Sequence, residues 1–399
     1  MTGFFKAKPK KILLILAVAA LGLVALGCAG PGYQGWSGFA AHDGILYFGA
    51  MDGRVLAINP SARSQELPFP GEGEWVFTIP TVGARGAMCG LGCAPASPRI
   101  SIYATPVVAG DLVCVAIYAG DGGKVVAIDR LAPGYTEGVP LRSKGEWAYP
   151  SGVKSIGAIV GDPVVVKDIL YVGSSDGKLY ALDAVYGEKK WEFNTGEKIW
   201  TSPVVKDGVA YVSNYERKLF AVSSADGTLL WEIELPAAIA SSPVAYGDKV
   251  YFGTFDQYLY AVDSTDGSEE WKFKGGNWFW STPVVMDDVV YAGCLDHKIY
   301  ALKASTGDKL WQFTADGPIV SSPVLVDNLL IAVSQSGKIY MLKPDSGDLV
   351  RTVSIDYSVM APLYAEGNMV YVHARNRCVY SVDVQSGEKV WQFCYSDIK

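Results

Sequence analysis

Short apolar runs separated by turn residues cover most of the chain. In one stretch, such runs lie at residues 163–166, 170–173, 180–183 and 190–193, with polar breaks such as Asp176-Gly177 between them. Asp-Gly pairs and single glycines favour tight turns because they adopt positive φ at little cost. Runs of this length that are rich in Val, Tyr and Trp are typical of β-strands. The pattern predicts four antiparallel strands in about 40 residues.

This unit repeats along the chain. The motif X-S-S-P-V-V recurs in degenerate form, with X at Trp36, Tyr103, Val160, Trp200, Ala240, Trp280, Val320 and Val359. Glycines recur with a step of 40 residues at Gly187, Gly227, Gly267, Gly307, Gly347 and Gly387. One four-stranded sheet cannot bury both of its faces, whereas a closed ring of stacked sheets can. The sequence therefore predicts an all-β, eight-bladed β-propeller over residues 36–399.

The first 35 residues differ from the repeats. Four lysines precede an apolar run at residues 12–27, and Cys28 follows it. A helix of that length spans roughly 24 Å, less than the ~30 Å hydrocarbon core, so a cleaved export signal fits better than a permanent span. The run up to Cys28 resembles the lipobox of bacterial lipoproteins, although Ala25 stands where that family favours leucine. The resemblance implies that Cys28 carries a lipid, that residues 1–28 are the export signal and that residues 29–35 are a short linker. The alternatives to a lipoprotein are simple secretion and an uncleaved membrane anchor.

Composition and charge exclude several functions. The 399 residues carry a formal net charge of −7 and include 3 histidines. Without the four lysines of the leader the net charge is about −11, which disfavours binding to nucleic acid. No C-x-x-C-H motif is present, so attached haem is excluded. No Ser/His/Asp set stands out among His42, His297 and His373.

The repeats resemble those of a known family. The segments at residues 171–183, 187–193 and 202–205 carry the pattern V-Y-V-G-S-x-D-G-K-L-Y-A-L-D-A, then G-x-x-x-W-x-F, then S-P-V-V. This is similar to the quinoprotein-type (PQQ-like) repeat, over about residues 36–399. Chain length and the lipobox are most similar to members that are lipoprotein scaffolds of outer-membrane β-barrel assembly. The resemblance implies a non-enzymatic, membrane-anchored scaffold that binds an envelope or membrane protein, such as a β-barrel assembly subunit.

Two alternatives stay open at this point. Some members of the family are quinone-dependent dehydrogenases, whose channel holds the cofactor beside an adjacent Cys-Cys disulfide, a calcium site and a catalytic Asp. This chain has no adjacent cysteine pair and its loops are short, so we expect no enzyme activity, no cofactor and no metal. The other alternative is an extracytoplasmic recognition or sensor propeller for an unknown ligand.

Tryptophans recur on the last strand of most units, at Trp75, Trp147, Trp191, Trp231, Trp271, Trp311 and Trp391. In the family these side chains dock one blade against the next, and the resemblance assigns them that role here. Arg351 stands where the seventh unit would have its tryptophan. Either that strand is shifted towards the surface, or the position is a local binding notch.

Bulky residues in units 4–6 predict a partner-binding surface. The tips between second and third strands lie on the same face as the connections between blades, and both carry apolar side chains there. The candidates are Trp200, Tyr215, Phe255, Trp278, Phe279, Trp280 and Leu295. Contiguous exposed aromatic side chains are typical of protein-binding sites. The alternative is that Trp200 and Trp280 only cap the central channel.

Acids, cysteines and insertions complete the candidate features. Six of the eight tips carry an acid, which turn propensity explains, so we expect no metal ring. Cys89 and Cys93 either form a loop disulfide or stay free. Cys378 and Cys394, which we expect to face each other in the last hairpin, either form a second disulfide or stay free. Cys114 and Cys294 are expected to be small core residues. Insertions near residues 60–73, 79–100 and 131–146 are loops in which specificity is often placed.

Overall fold

Eight antiparallel sheets, arranged as the blades of a propeller ring, make up the described part of the chain. We analysed a computed structural model, in which the described residues are 36–79, 100–119, 122–131, 146–151 and 154–398. They belong to the unit Gly35–Lys399. Within them, no helix is long and apolar enough to cross a membrane. The predicted export signal, the linker and Cys28 lie outside these residues.

Each sheet consists of strands that follow one another along the chain. Blade 1 has β1 (Phe39–His42), β2 (Ile45–Gly49), β3 (Arg54–Ile58), helix α1 (Pro60–Ser64) and β4 (Trp75–Thr78). Blade 2 has β5 (Ile100–Ser101) and β6 (Val107–Ala109), both paired with β7 (Leu112–Ala119), then β8 (Gly123–Asp129) and β9 (Trp147–Tyr149). Blade 3 has β10 (Val164–Val166), β11 (Ile169–Gly173), β12 (Lys178–Asp183) and β13 (Lys189–Asn194). Blade 4 has β14 (Val204–Lys206), β15 (Val209–Ser213), β16 (Lys218–Ser223) and β17 (Leu229–Glu234).

The second half of the ring continues the pattern. Blade 5 has β18 (Val244–Tyr246), β19 (Lys249–Gly253), β20 (Tyr258–Asp263) and β21 (Glu269–Lys274). Blade 6 has β22 (Val284–Met286), β23 (Val289–Gly293), β24 (Lys298–Lys303) and β25 (Lys309–Thr314). Blade 7 has β26 (Val324–Val326), β27 (Leu329–Val333), β28 (Lys338–Leu342) and β29 (Leu349–Ser354). Blade 8 has β30 (Tyr364–Glu366), β31 (Met369–Ala374), β32 (Cys378–Asp383) and β33 (Lys389–Cys394), followed by a 3-10 helix (Tyr395–Asp397).

Burial along the strands follows from stacking of the blades. The second and third strands are buried on both faces, as in β11 and β12, because a blade lies on either side. Their sequences are therefore nearly continuous apolar runs. The fourth strand, such as β13, is the outer edge, where buried and exposed side chains alternate. Positive φ at Asp168 (59°) and Gly177 (87°) closes the hairpins where the sequence predicts turns.

The hydrophobic core lies between the blades. Eight clusters of buried side chains each combine residues from two neighbouring blades, and one of them joins blade 8 to blade 1 through Tyr371, Phe393 and Phe48. The ring therefore closes by packing. No strand is exchanged between the first and last blades within the described residues. These observations confirm the predicted eight-bladed propeller.

The repeated tryptophans lie at the contacts between blades. Six indole N–H groups donate to a backbone carbonyl of the next blade at 2.7–3.2 Å: Trp75 to Arg130, Trp147 to Ala184, Trp191 to Ser224, Trp231 to Ser264, Trp271 to Ala304 and Trp311 to Pro344. Trp391 is buried between blades 8 and 1. The repeated glycines complete each contact, because a Cβ at Gly307, for example, would lie 2.6 Å from the Trp271 ring. The spacing alone does not reveal this pairing of tryptophan with glycine.

Arg351 makes the contact of the missing tryptophan. Its Nη1 donates to the carbonyl of Ser386, and its aliphatic stem lies against Gly387 of blade 8. The guanidinium thus takes the place of the indole N–H as the donor to the next blade, at a carbonyl two residues further along than the one that Trp311 uses. Arg351 is exposed, but β29 pairs in register with β28 as in the other blades. Neither interpretation of Arg351, a shifted strand or a binding notch, is needed to explain the residue.

Two segments outside the repeat reinforce the contact between blades 8 and 1. On one side, the C-terminal segment (residues 395–398) packs onto blade 1, where Arg54 donates to the carbonyls of Tyr395 (2.9 Å) and Ile398 (3.3 Å). The fully buried Tyr395 ring places its hydroxyl 3.2 Å from the Met51 N–H and 2.9 Å from His373 Nε2. The contacts of Tyr395 with Met51 and Arg54 link residues more than 300 positions apart in sequence.

The first insertion supplies the other contact at this junction. Arg63 of α1 lies 5.4 Å from both the Phe69 ring and the Phe393 ring of blade 8, and it pairs with the buried Glu74 carboxylate at 2.8 Å. Glu74 also accepts the Gly71 N–H at 2.8 Å. The inserted residues 60–73 therefore have a structural role in closing the ring. Residues 80–99 and 132–145, which make up most of the other two predicted insertions, lie outside the described residues.

Candidate partner-binding rim and channel mouth

Hairpin tips and blade connections lie on one face of the ring, which we call the rim face. In blades 4–6 the tip residue donates its N–H to a carbonyl of the preceding connection: Tyr215 to Lys198 at 2.8 Å, Phe255 to Ala238 at 3.0 Å and Leu295 to Trp278 at 2.9 Å. These hydrogen bonds hold the side chains of tip and connection next to each other. The sequence prediction that both features share a face is therefore met.

Aromatic side chains form two groups on the rim face. The rings of Trp200 and Tyr215 lie 4.7 Å apart. Phe255 lies 5.0 Å from Trp278 and 6.0 Å from Trp280, in edge-to-face contacts. All five are half-buried. We call these residues together with the half-buried Leu295 the rim patch.

Phe279 does not belong to the rim patch, so that candidate is wrong. It is 0% exposed and lies in the core between blades 5 and 6, 5.7 Å from Tyr300. Its position, one before X in the repeat, is also buried in blades 2–5, 7 and 8. Isoleucine occupies it at Ile199, Ile239 and Ile319, so the repeat itself contains the signal that this side chain points inward. The same alignment places Val359 of blade 8 at this buried position. The X residue of blade 8 is therefore Met360 and not Val359, which puts it 40 residues after Val320.

Three consecutive tips accept an unfavourable backbone conformation beside the rim patch. Arg217, Gln257 and His297 have φ values of 73°, 76° and 70°, and Arg377 of blade 8 has 64°, whereas blades 3 and 7 place Gly177 and Gly337 at this point. A non-glycine residue in the left-handed region costs about 1 kcal/mol. Blades 4–6 therefore present polar side chains next to the aromatic ones at some expense in stability, which is common at functional sites.

Tyrosines bind several of the acidic side chains on the rim face. Tyr180 donates to Asp176 at 2.8 Å, Tyr300 to Asp296 at 2.5 Å and Tyr340 to Asp316 at 2.8 Å. Burial, with the nearby carboxylate, raises the pKa of Tyr340 to about 12 and also raises the pKa values of Tyr180 and Tyr300. These tyrosines therefore remain protonated donors. Across the described ranges, no three His, Cys, Asp or Glu side chains form a metal-binding group.

The X residues form an apolar collar around the rim-face end of the central channel. Its members are Trp36, Tyr103, Val160, Trp200, Ala240, Trp280, Val320 and Met360, and all are half-buried. Neighbouring members touch where they are large, since the Trp36 and Tyr103 rings lie 4.9 Å apart. Trp200 and Trp280 thus border the channel mouth and also belong to the rim patch.

A belt of hydroxyl groups lies two residues beyond the collar. Backbone N–H groups donate to the side chain of the next blade: Thr105 to Asp162 at 2.6 Å, Asp162 to Ser202 at 2.7 Å, Ser202 to Ser242 at 3.0 Å and Thr282 to Ser322 at 3.1 Å. The belt explains why the repeat carries Ser or Thr at this position. Asp162 alone among these side chains is a carboxylate, and burial raises its pKa to about 6.

Along the described part of the channel, the features of a quinone site named above are not found. Part of its wall is formed by apolar side chains of the innermost strands of blades 6–8, such as Val284, Leu325 and Ala365. The chain lacks adjacent cysteines, and calcium ligands do not converge within the described ranges. Residues 173–177 read G-S-S-D-G, which matches the G-x-S-x-G motif of serine hydrolases, but they form a hairpin tip between β11 and β12 without a following helix.

The six cysteines that follow Cys28 fall into three groups. Cys378 lies opposite Cys394 in register, and a disulfide joins them. Cys114 and Cys294 are free and buried, and burial raises the pKa of each thiol to about 12, so they behave as small core residues. The loop pair 89 and 93 lies outside the described residues.

Comparison with known proteins places the chain in a family. The PQQ_2 family model, described as outer membrane protein assembly factor BamB, matches residues 146–272, 193–316, 255–350 and 296–397. BamB from Moraxella catarrhalis is 23% identical over 58% of this chain and 72% of that chain, with a TM-score of 0.53. The computationally designed Ika8 protein is 16% identical over 86% of this chain and 95% of that chain, with a TM-score of 0.64.

These results differ in what they establish. At such identities the two solved structures show the fold alone, and no curated protein matches the chain. The family model matches more than half of the chain, in overlapping segments that advance with the blades. The protein therefore belongs to the PQQ_2 family of the outer membrane protein assembly factor BamB.

Proposed function

We propose that this protein is a non-enzymatic, extracytoplasmic scaffold that binds an outer-membrane assembly protein through the rim patch and is anchored to the membrane by a lipid on Cys28. The family match carries the proposal, because the family is described as an assembly factor. The rim patch supplies a suitable binding surface. Its aromatic side chains are half-buried and held in place by the tip-to-connection hydrogen bonds.

The rim patch has the physical properties of a protein-binding centre. Aromatic side chains that are ordered before binding lose little conformational entropy and bury a large area on contact. Charged side chains of Lys198, Glu216 and Arg217 are exposed around the group formed by Trp200 and Tyr215. An apolar centre with a polar rim is the usual anatomy of such an interface.

Replacing Phe255 and Trp278 together by alanine is expected to abolish partner binding. Residues at the centre of an interface contribute about 2 kcal/mol or more each, which is about thirtyfold in affinity for one residue, so the double variant should lose more than about thirtyfold. The measurement is quantitative mass spectrometry of the β-barrel assembly subunits that co-purify with the protein from cross-linked envelopes.

A matched control is Tyr186→Ala, which removes a 72% exposed aromatic side chain from the turn at the other end of blade 3. This variant should capture the same subunits as the wild type. Circular dichroism should show that all variants are folded. The rim patch would be rejected as the binding surface if the double variant retained wild-type capture.

Replacing Cys28 by serine is expected to release the protein from the membrane. A serine cannot form the thioether on which the predicted lipid depends, so incorporation of labelled fatty acid should be lost. Cell fractionation should then find the variant in the soluble fraction or still carrying its leader. Retention of the label in Cys28→Ser would contradict the lipid anchor, while Cys114→Ser serves as a control for removal of a cysteine.

A further inference from the structure

An apolar cavity lies in the wall of the central channel, towards the face opposite the rim face. It has a volume of about 370 Å³, opens to solvent and is lined by side chains of the innermost strands of blades 6–8, among them Val284, Leu325 and Ala365. Met286 also lines it and is 37% exposed, and methionine adapts readily to a bound apolar group. A cavity of about 150 Å³ holds a benzene molecule, so this one has room for a large apolar side chain.

Carboxylates stand at the edge of the apolar cavity. The turn after each innermost strand lies opposite the rim face, because that strand begins at a connection on the rim face. Asp287 directly follows the lining residue Met286, and consecutive Cα atoms are about 3.8 Å apart. Glu366 follows the lining residue Ala365 in the same way. Burial, together with the nearby Glu366 carboxylate, raises the pKa of Tyr364, so this charge acts at the cavity wall.

The acids of these turns differ in their pairing around the ring. Every blade has at least one acid at the turn between its first and second strands. In blades 1–5 a cation pairs with that acid or stands beside it in sequence: Arg130 pairs with Asp43 and Asp111, Lys206 with Asp207 and Lys249 with Asp248, and Lys167 precedes Asp168. In blades 6–8 no described cation pairs with the exposed acids, which are Asp287, Asp288, Asp327 and Glu366. Turn propensity explains an acid in every blade, but it does not explain why the unpaired ones adjoin the apolar cavity.

Uncompensated negative charge beside an apolar cavity selects among the possible ligands. The surface of an anionic membrane would be repelled by these carboxylates. A second copy of this face would bring like charges together, which disfavours association. A peptide segment with an apolar side chain between lysines or arginines is complementary to both features, because the apolar side chain fills the cavity while the cations approach the carboxylates.

We propose that the apolar cavity binds a cationic peptide segment of a partner protein, with an apolar side chain inside it and flanking lysines or arginines on Asp287, Asp327 and Glu366. This surface lies on blades 6–8 at the face opposite the rim face, so it is distinct from the rim patch. The scaffold can then hold two partners, one on each face of the ring.

The probe is the peptide N-acetyl-Lys-Lys-Phe-Lys-Lys-amide, and the same peptide with Ala in place of Phe is the matched ligand. NMR of the full chain in nonionic micelles, with isotope-labelled methionine methyl groups, reports on the cavity through Met286, whose signal is identified with Met286→Leu. The Phe peptide should shift this signal saturably and leave those of the buried Met51 and Met341 in place. It should bind about tenfold or more tightly than the Ala peptide, because an aromatic side chain gains that much from burial.

Two triple variants test the role of the carboxylates. The first is Asp287→Asn, Asp327→Asn and Glu366→Gln. It should weaken binding of the Phe peptide several-fold or more, since it removes the charges at the cavity edge. The matched control is Asp111→Asn, Asp207→Asn and Asp248→Asn. It removes the same charge from the same face, but at positions screened from the cavity by physiological salt, so it should change the affinity less than about twofold.

Several outcomes would overturn the proposal. They are an unmoved Met286 signal, equal affinity for the Phe and Ala peptides, and equal affinity of the two triple variants, with circular dichroism showing that both are folded. A shift of the Met286 signal with protein concentration in the absence of peptide would assign the apolar cavity to a second copy instead. All these variants leave Phe255 and Trp278 intact, so the result is independent of partner capture by the rim patch.

Discussion

Replacement of Trp271 by alanine should lower the free energy of unfolding by about 3–5 kcal/mol, the range for a large buried aromatic side chain. The indole is 8% exposed and packs against Tyr251 of its own blade and Gly307 of the next. Its N–H donates to the Ala304 carbonyl at 2.8 Å. The variant would leave a cavity between blades 5 and 6. It would also remove one of the two hydrogen bonds that the Ala304 carbonyl accepts, and the bond from the Tyr251 hydroxyl would remain.

Arg351→Ala is the matched comparison, because it removes the docking side chain at the equivalent position of blade 7. Arg351 is exposed and contributes a hydrogen bond rather than a large buried area, so its loss should cost about 1 kcal/mol. Urea unfolding followed by both tryptophan fluorescence and circular dichroism gives the two values and shows whether the blades unfold together. Equal losses in the two variants would show that packing of the indole is not what stabilises the ring.

Gly307 and the other repeated glycines show how far a repeat can be interpreted from sequence. The step of 40 residues predicts the blades and their turns, because these depend on local composition. The reason for a glycine at 307 is its contact with Trp271, which lies 36 positions earlier on another blade. Both residues recur with the same step, so spacing alone does not distinguish a turn signal from a packing partner.

Phe279 shows a different limit. Its aromatic neighbours in sequence, Trp278 and Trp280, predict that Phe279 belongs to an exposed cluster. Its position in the repeat predicts instead that the side chain lies in the core. The position in the repeat is the stronger signal, because direction of a side chain is set by the strand and connection geometry that all blades share. Comparing each candidate with the same position in the other units separates the rim patch from the core.

Some of the contacts that close the ring have no signal in the repeat. Arg63 reaches Phe393, and Tyr395 reaches Met51, only because the two ends of the chain meet in space. Each of these contacts occurs once, whereas the docking contacts of the other blades occur six times. The junction of blades 8 and 1 therefore adds a few individual polar groups to the apolar packing that all blades share. One of them, His373, titrates near neutral pH when it is exposed to water.

Lowering the pH from 7 to 4 should remove about 3 kcal/mol of stability through His373 alone. Burial lowers the pKa of His373 from 6.5 to about 4, because the ring is enclosed between blades 8 and 1; the Ser37 carbonyl and Asp52 oppose this shift. Nδ1 lies 2.9 Å from the Ser37 carbonyl and must carry the proton, so Nε2 accepts from the Tyr395 hydroxyl. Between pH 6.5 and about 4 the unfolded chain binds a proton at this histidine that the folded chain does not, so stability falls as the pH falls.

The test is the pH dependence of urea unfolding for the wild type and His373→Gln, a variant that cannot titrate there. Asp162 acts in the opposite direction, because its folded pKa of about 6 lies above the ordinary 3.8 and the folded chain takes up its proton first. Its contribution to stability therefore rises as the pH falls below 6, and it masks part of the loss from His373. In the Asp162→Ser background the decline towards pH 4 should become steeper, and adding His373→Gln should flatten it. Parallel curves with and without His373 would show that the histidine has the same pKa in the folded and unfolded chains, so that acid does not destabilise the protein at this junction.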